Sequence, residues 1–363
     1  MDDRAIARLR LRSQRIAGGK FAAPEEAAKG LGALQAQDYG QALWAIGLRT
    51  SGAAAADVEQ AIEERKIVLT WPLRGTLHAV PAEDAKWMLR HFAPRVIGQF
   101  KRRREQLELD DAVLSRCREL IRRALEGGRR ITRPDLMELL ESGGIATGNQ
   151  RGYHIVFYLA LNEFICLGPL EGKQQTFVLL DEWVPRPREL SAEEALHELT
   201  VRYVRGHGPA TAHDFAWWAG LTVTDARKAL ESASGELRAV QSGGTAYWMS
   251  RDVSDEAGEK PAGTFLLAGF DQFLLGYTDR AAVLHPDYAP RIVPGGNGIF
   301  QPTVVSDGRV VGTWKRTIKK KGIDVDVAFF EPVPGAEEQA MSEIRRYCAF
   351  MGLPPGNLRV FYD

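Results

Sequence analysis

The stretch Arg130-Ile131-Thr132-Arg133-Pro134-Asp135-Leu136 decides the fold class, because its pattern returns as Pro209-Ala210-Thr211-Ala212-His213-Asp214-Phe215. In each copy a threonine stands three residues before an aspartate and four before an apolar residue. A threonine hydroxyl accepts from the free amides that open a helix, and an acid in the first turn answers the helix dipole. Each copy therefore predicts a short capped helix. Glycine closes it, at Gly143-Gly144 in one copy and at Gly220 in the other.

Working outward, a second helix follows each copy. Residues 150–164 place Tyr153, Phe157, Leu161 and Phe164 on one stripe, and residues 224–233 do the same with Ala226, Leu230 and Ala233. A two-stranded ribbon comes next: 164–167 turning through Gly172 into 176–180, and 237–241 turning through Gly243-Gly244 into 247–250. A long amphipathic helix precedes each unit, at 111–125 and 192–205. Helix, capped helix, second helix, hairpin is the order of a winged helix. The N-terminal region repeats it loosely, with helices at 6–17, 25–34 and 54–65 and a strand pair around 69–81. From about Pro261 the texture turns strand-like, with a hairpin turn at Ser306-Asp307-Gly308-Arg309, a helix over 336–350 and a closing strand over 358–362. The expected fold is α+β and mainly α: tandem winged-helix motifs followed by a small C-terminal antiparallel-sheet domain. The expected regions are 1–108, 109–186, 187–260 and 261–363.

Composition narrows the function classes. A chain of 363 residues, 45% hydrophobic and 26% charged, builds a substantial core. No apolar run approaches the roughly 20 residues of a membrane helix, and the opening Met1-Asp2-Asp3-Arg4 lacks a leader's apolar stretch. Cys117, Cys166 and Cys348 are far apart and odd in number, which argues for a reducing compartment, the cytoplasm, and against a disulfide framework or structural zinc. The seven histidines show no metal-ligand spacing; His207 and His213 are six apart, and no metal site or cofactor is expected. Basic and acidic residues number 47 each. The basic ones cluster at 101–104, Arg122-Arg123, Arg129-Arg130 and 315–321, the acidic ones at 189–198, 252–259 and 331–343. One basic face and scattered solvated charge are both compatible with this pattern.

Gln35-Ala36-Gln37 ends the run 24–34 and precedes an aromatic segment, 39–44. Glutamine is a poor acid or base, so in chemistry it positions a water or faces a cation through its carbonyl. Residues i and i+2 share a side in an extended segment but lie about 200° apart in a helix. A paired role needs Gln35 and Gln37 at or beyond a helix end; otherwise they are solvated polar residues. Asp38 is either a rival general base or a structural acceptor.

Arg74, Thr76 and His78 alternate on an expected strand, where they bind phosphates or line a pocket, unless the histidine is a satisfied core residue. Trp314-Lys315-Arg316 and Lys319-Lys320-Lys321 put five cations and an aromatic within eight residues, on and after a hairpin strand. They read as a nucleic-acid contact with a wedge, or as a basic edge that discourages aggregation. Trp217-Trp218 reads as core, and Asp271, Asp279 and Arg280 as buried hydrogen-bonding residues.

Four stretches in order carry a resemblance: Leu34-Gln35-Ala36-Gln37-Asp38; Thr70-Trp71-Pro72-Leu73-Arg74-Gly75-Thr76-Leu77-His78; Phe270-Asp271-Gln272-Phe273-Leu274-Leu275-Gly276-Tyr277-Thr278-Asp279-Arg280; and Asn297-Gly298-Ile299-Phe300-Gln301-Pro302-Thr303 with Gly312-Thr313-Trp314-Lys315-Arg316. The chain resembles the winged-helix DNA-binding-domain family of AlkZ-like alkylpurine DNA glycosylases. The resemblance implies that Gln35 and Gln37 are catalytic, that winged helices surround a channel for duplex DNA, and that a C-terminal hairpin enters the duplex. The expected partner is duplex DNA containing alkylated purines, without a membrane, and the chain is expected to be a monomer. A non-catalytic winged-helix regulator and a protein-interaction scaffold stay open beside this reading.

Overall fold

The computed structural model describes residues 1–254 and 261–362, so part of the acidic run 252–259 and the expected boundary at 260 lie outside the described residues. The mixed helix and sheet architecture expected from the sequence is present. The chain forms two compact units, one of Glu59–Ala195 and one of Met1–Val58 with Leu196–Asp363.

In the unit of Glu59–Ala195, five strands lie in the order Thr76–Pro81, Ile67–Leu73, Ile165–Glu171, Gln174–Leu179, Ile131–Thr132. Neighbours are antiparallel, with Thr70 opposite His78 and Cys166 opposite Val178. The first hairpin turns through Arg74 and Gly75, both at positive φ (54° and 71°). Glycine is required there, since a Cβ would stand 3.1 Å from Val96 and 3.2 Å from Phe157 on top of the left-handed backbone. The helix Arg133–Ser142 opens as its sequence predicts, with the Thr132 hydroxyl accepting from the Asp135 amide at 3.4 Å. The next helix, Arg151–Leu161, is shorter than the stripe 150–164 because Gln150 is left-handed and Asn162 leaves helical geometry.

In the other unit, Thr211 and Asp214 close a reciprocal capping box on the helix Ala212–Ala219. The same signature occurs a third time. Thr222 accepts from the Asp225 amide at 3.1 Å and starts the helix at Val223, a cap passed over in the sequence. The hairpin Leu237–Ser242 with Thr245–Ser250 turns on two positive-φ glycines. The C-terminal sheet runs Pro355–Tyr362, Gly322–Phe329, Arg309–Lys319, Thr303–Ser306, Thr264–Leu267. It is not wholly antiparallel as expected. Its last strand pairs in parallel, Val327 opposite Val360, because the helix Ala336–Phe350 intervenes and returns the chain in the same direction.

Aromatic packing joins this sheet to the helix Tyr39–Gly47. Trp44 meets Tyr347 at 5.1 Å edge to face and donates to the Leu266 carbonyl, and Trp314 meets Tyr347 at 4.9 Å. Beneath lies a buried polar network. Arg49 makes two parallel bonds to Asp271, 2.7 and 2.9 Å, and a third to Gln14 at 2.8 Å. Gln14 donates to the Tyr277 hydroxyl, which donates to the His207 carbonyl. Arg10 stacks over the Tyr277 ring at 3.6 Å. Asp271 is thus the buried acceptor expected of it. Asp279 is not; it is exposed and accepts from the Ala281 amide. Trp218 is core, while Trp217 is partly exposed.

Removing one partner of the buried pair leaves a charge without compensation. Asp271→Ala is expected to lower unfolding free energy by about 3–5 kcal/mol in urea denaturation, and Arg49→Met with Asp271→Leu to cost clearly less. A double variant as unstable as the single one would refute this account of the pair.

His207 is fully buried, with Nδ1 donating to the Tyr203 carbonyl at 3.0 Å, and burial pushes its pKa down to about 4. The unfolded histidine titrates near 6.5 and binds the extra proton first, so stability is complete above that pH and is lost as pH falls toward 4. His207→Gln is expected to flatten the pH 4.5–6.5 limb of the urea midpoints by up to about 1.4 kcal/mol per pH unit. An unchanged slope would contradict the buried neutral imidazole.

Candidate active site

The helix Pro24–Leu31 stops at Gly32, whose φ is +77°. The next helix, Tyr39–Gly47, begins after Asp38. Between them the chain is extended over Leu34–Gln35 and bends at Gln37. Burial alternates along it: Gln35 is half-buried, Ala36 is 2% exposed and Gln37 is exposed. Ala36 faces the core and the two amides face outward, beyond a helix end as a paired role requires. Among the described residues, no hydrogen bond occupies either side-chain amide.

What holds this segment follows from its neighbours. The Asp38 carboxylate accepts from the Gln41 amide at 3.0 Å and caps the next helix. Gln41, buried, accepts from the Gly269 amide at 3.0 Å. Trp44, one turn on, is locked in the aromatic core. Asp38 is therefore a structural acceptor, at the start of a helix rather than at the end of one.

Arg316 brings positive charge to the same place. Its guanidinium lies 3.8 Å from Asp38 Oδ1 and 5.9 Å from the Tyr347 ring centre, with only 15% of the side chain exposed. A Cβ on Gly40 would sit 2.9 Å from an Arg316 nitrogen, so the glycine makes room for that cation. The basic hairpin and the glutamine segment, separate in sequence, thus meet through Arg316.

The hairpin itself pairs from Gly312 opposite Phe329 to Lys319 opposite Gly322, with Lys320 and Lys321 in the turn. Lys315, Lys319, Lys320 and Lys321 are exposed, and Lys319 pairs with Asp324. Trp314 requires a correction. It is 1% exposed and donates to the Leu267 carbonyl at 2.7 Å, so it is a core residue and offers DNA no wedge. Parity puts it inward while Lys315 points out. The exposed apolar side chain near the tip is Ile318, at 50%.

Arg74, Thr76 and His78 do not form a row. Arg74 occupies the hairpin turn, and the Thr76 hydroxyl donates to the Leu73 carbonyl at 3.3 Å. His78 is 0% exposed, and its Nδ1 donates to the Thr76 carbonyl at 2.8 Å. Burial, then the Arg74 charge, pushes its pKa down to about 3. This neutral core histidine does not bind phosphate, which corrects the sequence expectation. Gln14, Gln41 and Arg49 went unnoticed in the sequence. Gln41 and Arg49 are polar beside the apolar run 42–48, which is a signal for such residues, while Gln14 lies among Arg12, Ser13 and Arg15 and carries none.

A family model described as DNA glycosylase AlkZ-like matches residues 28–350. An interstrand DNA cross-link repair glycosylase of Streptomyces sahachiroi is 29% identical over 309 residues, spanning 78% of this chain and 79% of the relative. The solved structure of Streptomyces sahachiroi DNA glycosylase AlkZ superposes with a TM-score of 0.81 at 23% identity, covering 99% of both chains. That structure carries the same fold. With the family model spanning most of the sequence, the chain belongs to the AlkZ-like DNA glycosylase family.

Proposed function

We propose that this protein hydrolyses the N-glycosidic bond of cationic N-alkylated purines in duplex DNA, with Gln35 and Gln37 as the catalytic residues. The observation that carries the reading is the outward pair of amides on either side of a buried Ala36. An N7-alkylated purine already bears the positive charge that a normal purine gains by protonation. It leaves with the bonding electron pair as a neutral base, and no acid is needed. Positive charge develops on the deoxyribose, water oxygen bonds to the anomeric carbon, and the water's proton passes to solvent. Two fixed amide oxygens hold that water and face the cation, which is electrostatic preorganisation without pKa tuning.

The reaction is monofunctional in this reading. A lyase needs an amine nucleophile. Lys20, pushed down to about 7 by burial and by Arg346 and Arg49, spends its nitrogen on the carbonyls of Arg15 and Ile16. The helix-helix-hairpin segments of 109–186 and of the described part of 187–260 each serve as a DNA-contacting winged helix. The named activity of the Streptomyces relative extends the substrate class to interstrand cross-links. The protein acts as a monomer at the nucleoid, in the cytoplasm; no helix among the described residues is long and apolar enough to cross a membrane. Lys315, Lys320 and Lys321 meet phosphates, Arg316 sets charge beside the glutamines, and Ile318 replaces Trp314 as the wedge.

Release of N7-methylguanine from a defined duplex, followed by chromatography under single turnover, tests the chemistry. Gln37→Ala is expected to slow release by about 100-fold to 1000-fold, the effect of removing one preorganised dipole. A wild-type chain that releases no base, or a variant as fast as wild type, would end the proposal for this substrate. Ile318→Ala is expected to slow release on the order of tenfold while duplex affinity changes little, since a wedge acts by unstacking. An equal loss in affinity and rate would make Ile318 a mere binding contact.

A further inference from the structure

We infer that the unit of Glu59–Ala195 carries its own contact for the DNA phosphate backbone, on the face formed by the helix Lys101–Gln106, the first turn of the helix Arg151–Leu161, and Arg133. This rests on the DNA-directed reading above and adds to it a surface that the glutamine and hairpin residues do not include.

Lys101, Arg102, Arg103 and Arg104 occupy more than one turn of a six-residue helix that holds a single acid, Glu105. The four cations have different duties. Arg104 donates to the Ile97 carbonyl at 2.9 Å and lies 4.7 Å from the Tyr158 ring centre. Arg103 donates to Gln150 at 3.0 Å and to Gln106 at 3.3 Å. These two arginines seat the short helix on its neighbour. Lys101 and Arg102 are exposed and make no ion pair among the described residues. Like charges this close weaken an isolated helix, and a polyanion relieves that repulsion.

An aromatic layer lies alongside. Tyr153 is 40% exposed and stacks on Phe157 at 5.7 Å with 12° between planes, while Phe100 meets Phe157 at 5.1 Å. Arg133 is close enough to favour the ionised form of the Tyr153 phenol, against the larger effect of burial. Exposed lysine, arginine and tyrosine side chains are donors for phosphate oxygens. Four basic side chains against a single acid on this helix complement a polyanion, and so dense a charge suits the core of a protein interface less well. The partner is therefore the sugar-phosphate backbone of duplex DNA.

The test measures binding of the full chain to a fluorescein-labelled duplex without a lesion, by anisotropy between 50 and 200 mM salt. Lys101→Gln with Arg102→Gln is expected to weaken binding by about tenfold. It should also reduce the slope of log affinity against log salt by about 1.8, for two phosphate contacts. Arg345→Gln, at an exposed position of the helix Ala336–Phe350, is expected to leave both unchanged. An unaltered slope in the double variant, or an equal change in the Arg345 variant, overturns the proposal, the second by reducing it to diffuse charge. Base release plays no part in this readout. A chain that binds through this face yet frees no purine refutes the catalytic reading alone.

Discussion

The pairing of Arg49 with Asp271 is the constraint on which the unit of Met1–Val58 and Leu196–Asp363 depends. Both side chains are out of water, so each would be costly without the other. The bidentate geometry, with Gln14 and the Ala45 carbonyl as further acceptors, satisfies four of the contacts that a guanidinium offers. It fixes three chain segments at once: the end of the helix Asp3–Ser13, the end of the helix Tyr39–Gly47, and the motif that opens at Phe270. The glutamine segment leads directly into one of these, the helix Tyr39–Gly47. Its position is set by buried bonds, while its own amides stay uncommitted.

That separation of duties suits the chemistry. A group that orients water must be held still by something other than its own hydrogen-bonding atoms. Here Ala36 supplies the inward anchor, Asp38 the helix cap, and Gln41 and Trp44 the fastening to the C-terminal sheet. Arg316 sets a cation beside a segment whose proposed substrate is itself cationic. The Asp38 carboxylate offsets that charge at 3.8 Å, and a bound phosphate would offset it further.

Features governed by near neighbours were legible in the sequence. Thr132 with Asp135 and Thr211 with Asp214 form the caps their spacing announced, and Gly243-Gly244 turns its hairpin. The helix expected over 25–34 instead ends at Leu31, because Gly32 takes a φ of +77° and the chain is extended over Leu34–Gln35. Trp314 and His78 were misread for one shared reason. Alternation says that neighbouring residues face opposite ways; it does not say which side is covered. In the C-terminal sheet, the helix Ala336–Phe350 covers the face that Trp314 occupies.

The sequence by itself determined the capped helix starts at Thr132 and Thr211 and the glycine turns, since these rest on backbone geometry within a few residues, whereas the helices Tyr39–Gly47 and Ala85–Gln99 were not legible in it. Tertiary structure alone decided which polar residues are buried, that the last strand runs parallel, and that Arg316 stands beside Asp38. Arg49 and Asp271 are 222 residues apart, and no local preference predicts that pairing. Burial makes them partners, because a charge removed from water must find its opposite wherever the fold brings it.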